Sequence, residues 1–242
     1  MINIVIPMAG RGSRFSNAGF VKPKPFIDVL GKPMIVRVIE NLNVENAKFI
    51  LLGLKEHLDA ERELVADIEN KYNVQFIEID KITEGTACTV LFARQIINNE
   101  YPLLIANSDQ IVDFQISNFI EDCAYRNLNG SILTFNDLEL NPKWSFAKID
   151  ENGFVVEVQE KKPISNFATV GIYMFSRGKD FIDAAIDMII SNDRVNGEFY
   201  TCPVYNYLIK NNGRVGIYNI EANSMHGIGT PEDLQLYLEI LE

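Results

Sequence analysis

The sequence has little basic charge and no long apolar run, and each shortage excludes a class of protein. No apolar run in the 242-residue chain reaches the roughly 18 residues needed to cross a bilayer, so we expect no membrane-spanning segment. Lysine and arginine number 22 against 33 acidic residues, which gives a net charge of −11. Because no long basic stripe exists to neutralise a phosphate backbone, we expect no nucleic acid partner.

Cysteine is also scarce. Cys88, Cys123 and Cys202 are far apart and odd in number, which fits neither a disulfide framework nor a zinc site. We therefore expect buried thiols and a reducing compartment. The chain enters an apolar strand at once, and no basic leader or cleavage site is visible, so we expect a cytoplasmic protein.

The order of apolar segments predicts one α/β domain over residues 1–242. Before residue 130, short apolar runs alternate with segments of helical spacing, which is typical of a parallel sheet. From Gly130 onward three short strands follow one another, and a turn ending in Gly153 joins the last two. We expect a mostly parallel central sheet to which the second half adds antiparallel strands.

Local patterns also predict individual helices. Residues 57–71 form one charged amphipathic pattern, which predicts a single helix. Thr83 is predicted to be the N-cap of a helix that runs through Val90. Thr230 is predicted to cap a terminal helix, because Pro231 follows it at the first position of that helix.

The first strand leads into a glycine-rich loop. Residues 2–6 are an apolar run, and Gly10 and Gly12 follow it. Glycines let a ligand approach the backbone, so successive N–H groups can turn toward one anion. A dinucleotide site of the GxGxxG type is disfavoured, because Phe15 stands where the third glycine is needed.

Basic residues are concentrated around this loop, against the acidic balance of the chain. Charge focused in this way favours a site for a polyanion, and phosphate is the obvious candidate. The four cations of this stretch are Arg11, Arg14, Lys22 and Lys24.

A second polar group follows the apolar run at residues 101–106. Ligands of open α/β sheets gather at the carboxyl ends of strands, so Asn107, Ser108 and Asp109 are site candidates. Asp109 supplies a hard oxygen ligand of the kind that Mg²⁺ prefers. The alternative for Asp109 is an N-cap of the helix near residues 114–123.

The loop GRGSR, with Lys24 following in a PKP setting, resembles the signature of the sugar-phosphate nucleotidyltransferases, the NTP-transferase family with a GT-A-like Rossmannoid fold. The resemblance spans residues 2–234 and implies a three-layer sandwich. It implies that Arg14 and Lys24 hold a triphosphate as catalytic residues and that Asp109 binds Mg²⁺. It also implies nucleotide contacts from Ala9, Gly10, Arg11, Gly12, Ser13, Thr83, Glu84, Gly85, Thr86 and Ser108.

The same resemblance implies an acceptor site in the second half of the chain. The family carries a Glu-Lys pair whose lysine reaches the sugar-side phosphate, and Lys161 takes this catalytic role here. Lys162 leaves the match ambiguous by one residue, and strand alternation would point the two lysines in opposite directions. A lone tryptophan is also often a core residue. The implied acceptor contacts are Asn107, Trp144, Glu160, Lys162, Gly171 and Glu198.

The C-terminal segment departs from the family pattern. Many members have an aspartate before the Gly-Thr dipeptide as a second metal ligand, whereas Gly227 stands at that position here. His226 could complete the shell, but neutral histidine is a poor partner for Mg²⁺. A structural or acceptor-contacting role fits His226 better.

The resemblance implies an enzyme that transfers a nucleoside monophosphate to a phosphorylated acceptor and releases pyrophosphate. On resemblance alone we expect CTP or UTP as the donor. The acceptor would be a sugar 1-phosphate or a small phosphate ester, bound for surface polysaccharide or glycoconjugate precursors. The alternatives are a GT-A-type glycosyltransferase that uses a nucleotide sugar, and a non-catalytic nucleotide-binding relative. A homo-oligomer remains open.

Overall fold

A computed structural model describes residues 1–241 and shows a central sheet between two helical layers. Its strands are β1 (Ile2–Met8), β2 (Asp28–Val29), β3 (Lys32–Pro33), β4 (Ala47–Leu54), β5 (Val74–Ile79), β6 (Leu103–Ala106), β7 (Gln110–Val112), β8 (Gly130–Asn136), β9 (Ser145–Ile149), β10 (Val155–Glu160), β11 (Phe167–Phe175), β12 (Val215–Ile220) and β13 (Met225–Gly227).

The α-helices are α1 (Ser13–Asn17), α2 (Met34–Asn41), α3 (Lys55–Ala60), α4 (Arg62–Lys71), α5 (Thr86–Val90), α6 (Arg94–Ile97), α7 (Ile116–Tyr125), α8 (Gly178–Ile190), α9 (Val204–Lys210) and α10 (Pro231–Leu241). Within residues 1–241, no helix has both the length and the apolar character needed to cross a bilayer.

The central sheet changes direction at β6. Strands β6, β1, β4 and β5 are neighbours in that order and run parallel. Strand β11 pairs antiparallel with β6, β8 and β9, while β10 extends the β9 edge and β12 lies beside β8. The prediction of a mostly parallel sheet with antiparallel strands added after Gly130 is confirmed.

Side chains on β1 alternate between two cores, one on each face of the sheet. Ile4 and Ile6 belong to the core formed with α2 and α7, whereas Val5 belongs to the core formed with α5, α8 and α9. All three side chains are completely buried. Burial on both faces explains why these three successive residues are all apolar instead of alternating with polar ones. The predicted three-layer sandwich is confirmed.

Two of the helix predictions were wrong in detail. The single helix predicted over residues 57–71 is two helices, because Glu61 leaves helical geometry with φ −122° and ψ 36°. Thr83 does not cap α5, which begins at Thr86 after Gly85. The terminal cap is confirmed, since the Asp233 backbone N–H donates to Thr230 Oγ1 over 3.1 Å.

The topology brings three loops to one edge of the sheet. Strand β1 lies between β4 and β6, so the loops after β1 and β6 leave the sheet at neighbouring carboxyl ends. Strand β13 pairs antiparallel with β7, and the Ile228 N–H donates to the Asp109 carbonyl oxygen over 2.9 Å. The segment from Gly227 to Gly229 therefore lies against the loop after β6.

Candidate active site

Gly12 brings the loop after β1 close to the segment that carries Lys24. Its φ of +62° lies in the left-handed region, and a Cβ there would be only 3.0 Å from the Lys24 Cβ. Phe15 in the following helix and Phe26 beyond Lys24 are both 1% exposed. Buried aromatic side chains thus fix this region while Arg14 and Lys24 face one cavity.

This first cavity has a volume of about 430 Å³ and lies between the loops after β1 and β6. It brings together residues from five separate stretches of sequence, including those predicted to bind a nucleotide and a metal. The predicted residues that line it are Gly10, Gly12, Ser13, Arg14, Lys24, Thr86, Asn107, Ser108 and Asp109.

Lys24 and Asp109 form an ion pair inside this cavity. The Lys24 Nζ contacts Asp109 Oδ2, and the two side chains are 19% and 23% exposed. Gly229 makes room for the pair, because a Cβ there would lie 3.1 Å from Asp109 Cγ and 3.5 Å from Lys24 Nζ. The alternative role of Asp109 as a helix N-cap was wrong, since α7 begins only at Ile116 after Gln115.

The acidic residues present fit a magnesium ion that substrate phosphates help to hold. Within residues 1–241, no group of three or more His, Cys, Asp or Glu side chains could hold a metal by itself. Magnesium is often bound through one or two carboxylates together with phosphate oxygens and water. Asp109 is placed to provide one such carboxylate. Asp233 Oδ2 lies 3.9 Å from the Cβ position of Gly227, where the family pattern has an aspartate.

A second cavity of about 520 Å³ adjoins the first on the antiparallel side of the sheet. Five residues border both cavities, so the two spaces share one wall. These residues are Arg14, Thr86, Asn107, Asp109 and Gly229. Two ligands bound in the two cavities would therefore meet at this wall.

Asn107 is held in the shared wall by close packing against Gly171. The Asn107 N–H donates to the Gly171 carbonyl over 3.0 Å, at an irregularity in β11. Gly171 has φ +91°, and a Cβ there would lie 2.8 Å from Asn107 Cγ. A glycine is needed at this position because an Asn107 side chain approaches it, which is the close approach that a glycine inside a strand predicts.

The second cavity contains a buried carboxylate. Glu160 is 9% exposed, and its Oε2 accepts a hydrogen bond from Ser145 Oγ. Burial raises the pKa of the Glu160 carboxyl above its usual range. Trp144 lines the same cavity and packs edge-on against Phe135, with ring centroids 5.4 Å apart, while Lys143 Nζ lies 4.4 Å from its ring. Trp144 therefore contacts both core and cavity.

A comparison with protein families places this chain. Residues 4–200 match the model of a family described as nucleotidyl transferase. The chain belongs to the nucleotidyl transferase family. The resemblance inferred from the first loop is thereby confirmed.

Named relatives in the nucleotidyl transferase family are longer than this chain. The bifunctional protein GlmU of Methanococcus aeolicus is 29% identical over 241 residues, which cover 96% of this chain and 53% of the relative. The catalytic subunit beta of mannose-1-phosphate guanylyltransferase from Dictyostelium discoideum is 24% identical, over 71% of this chain and 49% of the relative. The chain thus spans about half the length of the relatives it matches.

Solved structures confirm the fold along nearly the whole chain. A nucleoside-diphosphate-sugar pyrophosphorylase from Vibrio cholerae is 25% identical with a TM-score of 0.80, covering 98% of this chain and 99% of that one. A Bacillus anthracis structure is 20% identical with a TM-score of 0.78, covering 99% and 95%. The latter similarity shows the fold alone.

The two candidate lysines of the acceptor site lie outside both cavities. Strand β10 ends at Glu160, and Lys161 has φ +56°, so the predicted strand alternation does not reach Lys161 and Lys162. Lys161 Nζ donates to the Tyr200 hydroxyl over 2.7 Å and lies 4.5 Å from that ring. Lys162 is exposed. A role for either lysine toward an acceptor phosphate stays a prediction.

Several predicted nucleotide contacts are engaged by protein instead of lining a cavity. Thr83 Oγ1 donates to the Gly85 carbonyl over 3.0 Å, and Glu84 pairs with Arg194 over 2.6 Å. Gly85 has φ +125°, and the space beside it is filled by the Phe199 backbone, whose nitrogen would lie 2.5 Å from a Cβ. The other predicted residues outside the cavities are Ala9, Arg11 and Glu198.

Sequence reasoning missed some residues of the site, while His226 has a protein partner. His226 Nε2 is 2.8 Å from Asp113 Oδ2, which supports the structural role. Gly229 is the glycine of the Gly-Thr dipeptide, and the sequence pattern does not indicate that it accommodates Asp109. Tyr200 and Asp233 line the second cavity without having been predicted to do so. For Tyr200, its position two residues after Glu198 in the predicted acceptor segment was an available signal.

Proposed function

We propose that this protein transfers a nucleoside monophosphate from a nucleoside triphosphate to a phosphorylated acceptor and releases pyrophosphate. The observation that carries the proposal is the wall shared by the two cavities, where Arg14 and Asp109 border both spaces and Lys24 contacts Asp109. Two anions that meet there would face cations at their point of contact. The activities for which the Vibrio and Dictyostelium relatives are named support this reaction class.

The proposed reaction depends on alignment and charge neutralisation more than on proton transfer. The attacking phosphate oxygen of the acceptor is already ionised near neutral pH, so no general base is needed. Arg14 and Lys24 would stabilise the negative charge of the triphosphate and of the departing pyrophosphate. Mg²⁺ held by Asp109 would supply further charge neutralisation at the phosphates. For Asp109 to take this role, Lys24 would exchange it for a phosphate oxygen.

The second cavity would hold the acceptor, and we propose a sugar 1-phosphate as its class. Glu160 offers a hydrogen-bond acceptor at a site suited to substrate hydroxyls, and Trp144 offers an apolar face beside it. Lys161 and Glu198 lie near Tyr200 at the margin of this cavity, where Lys161 would meet the acceptor phosphate after leaving the Tyr200 hydroxyl.

For the donor we propose CTP or UTP, and for the product a precursor of a surface polysaccharide or glycoconjugate. The support for a pyrimidine is the resemblance of the first loop. One relative is named a guanylyltransferase, so the test must include purine nucleotides. We place the protein in the cytoplasm, where its three unpaired thiols would stay reduced.

A substrate matrix tests the proposal. The purified chain with Mg²⁺ is incubated with each of ATP, CTP, GTP, UTP and dTTP against a panel of acceptors: glucose, mannose and N-acetylglucosamine 1-phosphates, phosphocholine and glycerol 3-phosphate. We expect pyrophosphate release that needs both substrates, with an equal amount of nucleotide conjugate by mass spectrometry. The absence of pyrophosphate in every pair, together with release of a nucleoside diphosphate when the same chain is incubated with a nucleotide sugar, would favour the glycosyltransferase instead.

A further inference from the structure

A tight turn brings the segment from Arg194 to Thr201, here called the 194–201 segment, back toward the start of α5. Val195 and Glu198 exchange two backbone hydrogen bonds of 3.0 Å each. Asn196 and Gly197 between them have φ +51° and +83°. Positive φ at both central residues is the geometry that Asn-Gly favours in two-residue hairpins. The sequence therefore shapes this turn locally.

Two backbone hydrogen bonds join the 194–201 segment to residues 83–87, here called the 83–87 turn. The Phe199 N–H donates to the Glu84 carbonyl over 2.8 Å, and the Ala87 N–H donates to the Phe199 carbonyl over 3.0 Å. Gly85 permits this approach, since a Cβ there would overlap the Phe199 backbone. Phe199 itself is 2% exposed. The two segments thus form one packed unit.

Arg194 contacts both segments at the surface of this unit. Its Nη2 lies 2.6 Å from Glu84 Oε2, and its Nη1 donates to the Gly197 carbonyl over 3.0 Å. Its Nε donates to Asn192 Oδ1 over 2.7 Å, and the guanidinium lies 4.1 Å from the Phe199 ring centroid. A planar guanidinium can make all of these contacts at once, which a lysine cannot.

The unit extends from the shared wall into the lining of the second cavity. Thr86 borders both cavities, whereas Tyr200 and Thr201 border only the second. Thr201 donates to Thr86 Oγ1 from its N–H over 3.1 Å and from its hydroxyl over 3.0 Å. Tyr200 in turn accepts the hydrogen bond of Lys161. A displacement of the 83–87 turn would therefore reach groups that face the acceptor.

We propose that Arg194 is a positioning residue that couples nucleotide binding at the 83–87 turn to acceptor binding in the second cavity. The proposal rests on the proposed function, which places the triphosphate in the first cavity, where Thr86 is the residue of the 83–87 turn that would face the nucleotide. A nucleotide that orders the turn also orders Tyr200 and Thr201 through Arg194 and the two backbone hydrogen bonds. The acceptor then binds more tightly to the nucleotide complex, and by linkage the nucleotide binds more tightly to the acceptor complex.

A contribution to stability alone is a weak explanation for this ion pair. The side chains of Arg194 and Glu84 are 32% and 66% exposed, and pairs with such exposure contribute little to folding. Variants at either position should therefore fold. Arg177 provides a matched control, because its ion pair with Asp180 at 2.8 Å lies at the start of α8 and borders neither cavity.

The test compares the wild type with Arg194→Gln, Glu84→Gln, the double variant and the control Arg177→Gln. Hydrogen exchange of the Ala87 and Phe199 amides is measured first without ligands. Calorimetry then measures the Kd of the most active phosphate ester of the substrate matrix. It is measured alone and with the α,β-methylene analogue of the matching triphosphate.

We expect Arg194→Gln to speed exchange at both amides by about tenfold. The analogue should lower the Kd of the phosphate ester by about tenfold in the wild type and in Arg177→Gln, and by less than about twofold in Arg194→Gln. The double variant should match Arg194→Gln, because Glu84→Gln removes only the ion pair that Arg194→Gln already removes.

Unchanged exchange in Arg194→Gln, or retained coupling in that variant, would overturn the role of Arg194 while the reaction stands. Equal loss of coupling in Arg177→Gln would do the same. A matrix without any product would overturn the proposed function and the coupling with it, whatever the exchange rates show about anchoring.

Discussion

The two cavities are built in different ways, although they share a wall. The first is lined mainly by two loops that directly follow the parallel strands β1 and β6, and it contains the cations Arg14 and Lys24. The second draws on side chains from β9, β10, β11, the 194–201 segment and α10, and it contains the acids Glu160 and Asp233. The first cavity thus depends mainly on loops that directly follow strands, whereas the second depends on the packing of side chains from several strands and distant segments.

The first cavity should be the most sensitive to loss of a single charge. Lys24→Ala removes the cation that contacts Asp109, so we expect kcat to fall by about 10²- to 10³-fold with an unchanged circular dichroism spectrum. Pyrophosphate release measures the effect. Lys32→Ala is the control, since Lys32 pairs with Glu40 outside both cavities. A loss below about threefold at Lys24 would remove the first cavity from the chemistry.

Asp109→Asn tests the metal on the wall between the cavities. We expect activity to fall by about 10²-fold and the Mg²⁺ concentration for half-maximal activity to rise, because a neutral amide holds Mg²⁺ poorly. A titration of activity with Mg²⁺ measures both effects. Asp183→Asn, at an exposed position of α8, should leave the titration unchanged. An unchanged titration for Asp109→Asn would contradict the metal assignment.

Gly171→Ala tests whether the wall depends on the second region. An added Cβ would displace Asn107, and a shift of this kind should cost activity about tenfold or more, with about 3 kcal/mol of stability. Gly153→Ala is the matched control, because Gly153 also has positive φ, +79°, but no atom lies within 4 Å of its Cβ position. It should lose about 1 kcal/mol of stability and no activity. Chemical denaturation and kinetics measure the pair, and equal losses would refute the role of Asn107.

Among these substitutions, Glu160→Gln should cause the smallest loss of activity, and it should raise the stability of the protein. The KM for the phosphate ester should rise by about tenfold with little change in kcat, because one hydrogen bond to a charged group is weakened. Burial raises the pKa of the Glu160 carboxyl above its ordinary 4.5. Between 4.5 and the raised pKa, the folded protein binds more protons than the unfolded chain. The free energy of unfolding therefore falls as the pH rises through this range.

The glutamine variant lacks that titration. Its Tm should exceed the wild-type Tm by about 2 °C near pH 8, and the difference should disappear toward pH 4. Thermal unfolding across this range measures it. A difference that grew as the pH fell would have the opposite sign and would show that Glu160 is stabilised as a carboxylate.

What could be predicted from sequence follows the same division. Local patterns were sufficient to predict the parallel strands and the loop with Gly12 and Arg14. The carboxyl ends of parallel strands lie at one edge of a sheet, and this rule predicts that Lys24 and Asp109 lie around one cavity. The break at Glu61 was missed because the apolar pattern continues on both sides of it, and only the backbone geometry shows two helices.

The second region was predicted less well because its contacts join distant residues. Gly85 looked like an opening for a ligand, but the Phe199 backbone fills that space from more than a hundred residues away. Lys161 and Lys162 were treated as strand residues, although β10 ends before them. Glu84 gave no sign of its partner Arg194. Such pairs are set by tertiary packing, which no local pattern encodes.

The wall at Arg14, Thr86, Asn107 and Asp109 also has a consequence for the end of the catalytic cycle. In the proposed reaction the nucleotide and the sugar leave as one covalently joined molecule, which would still touch both cavities. Each half then keeps the other at a high effective concentration beside its own pocket. Departure of the nucleotide sugar, and not bond formation, would then set the pace of turnover.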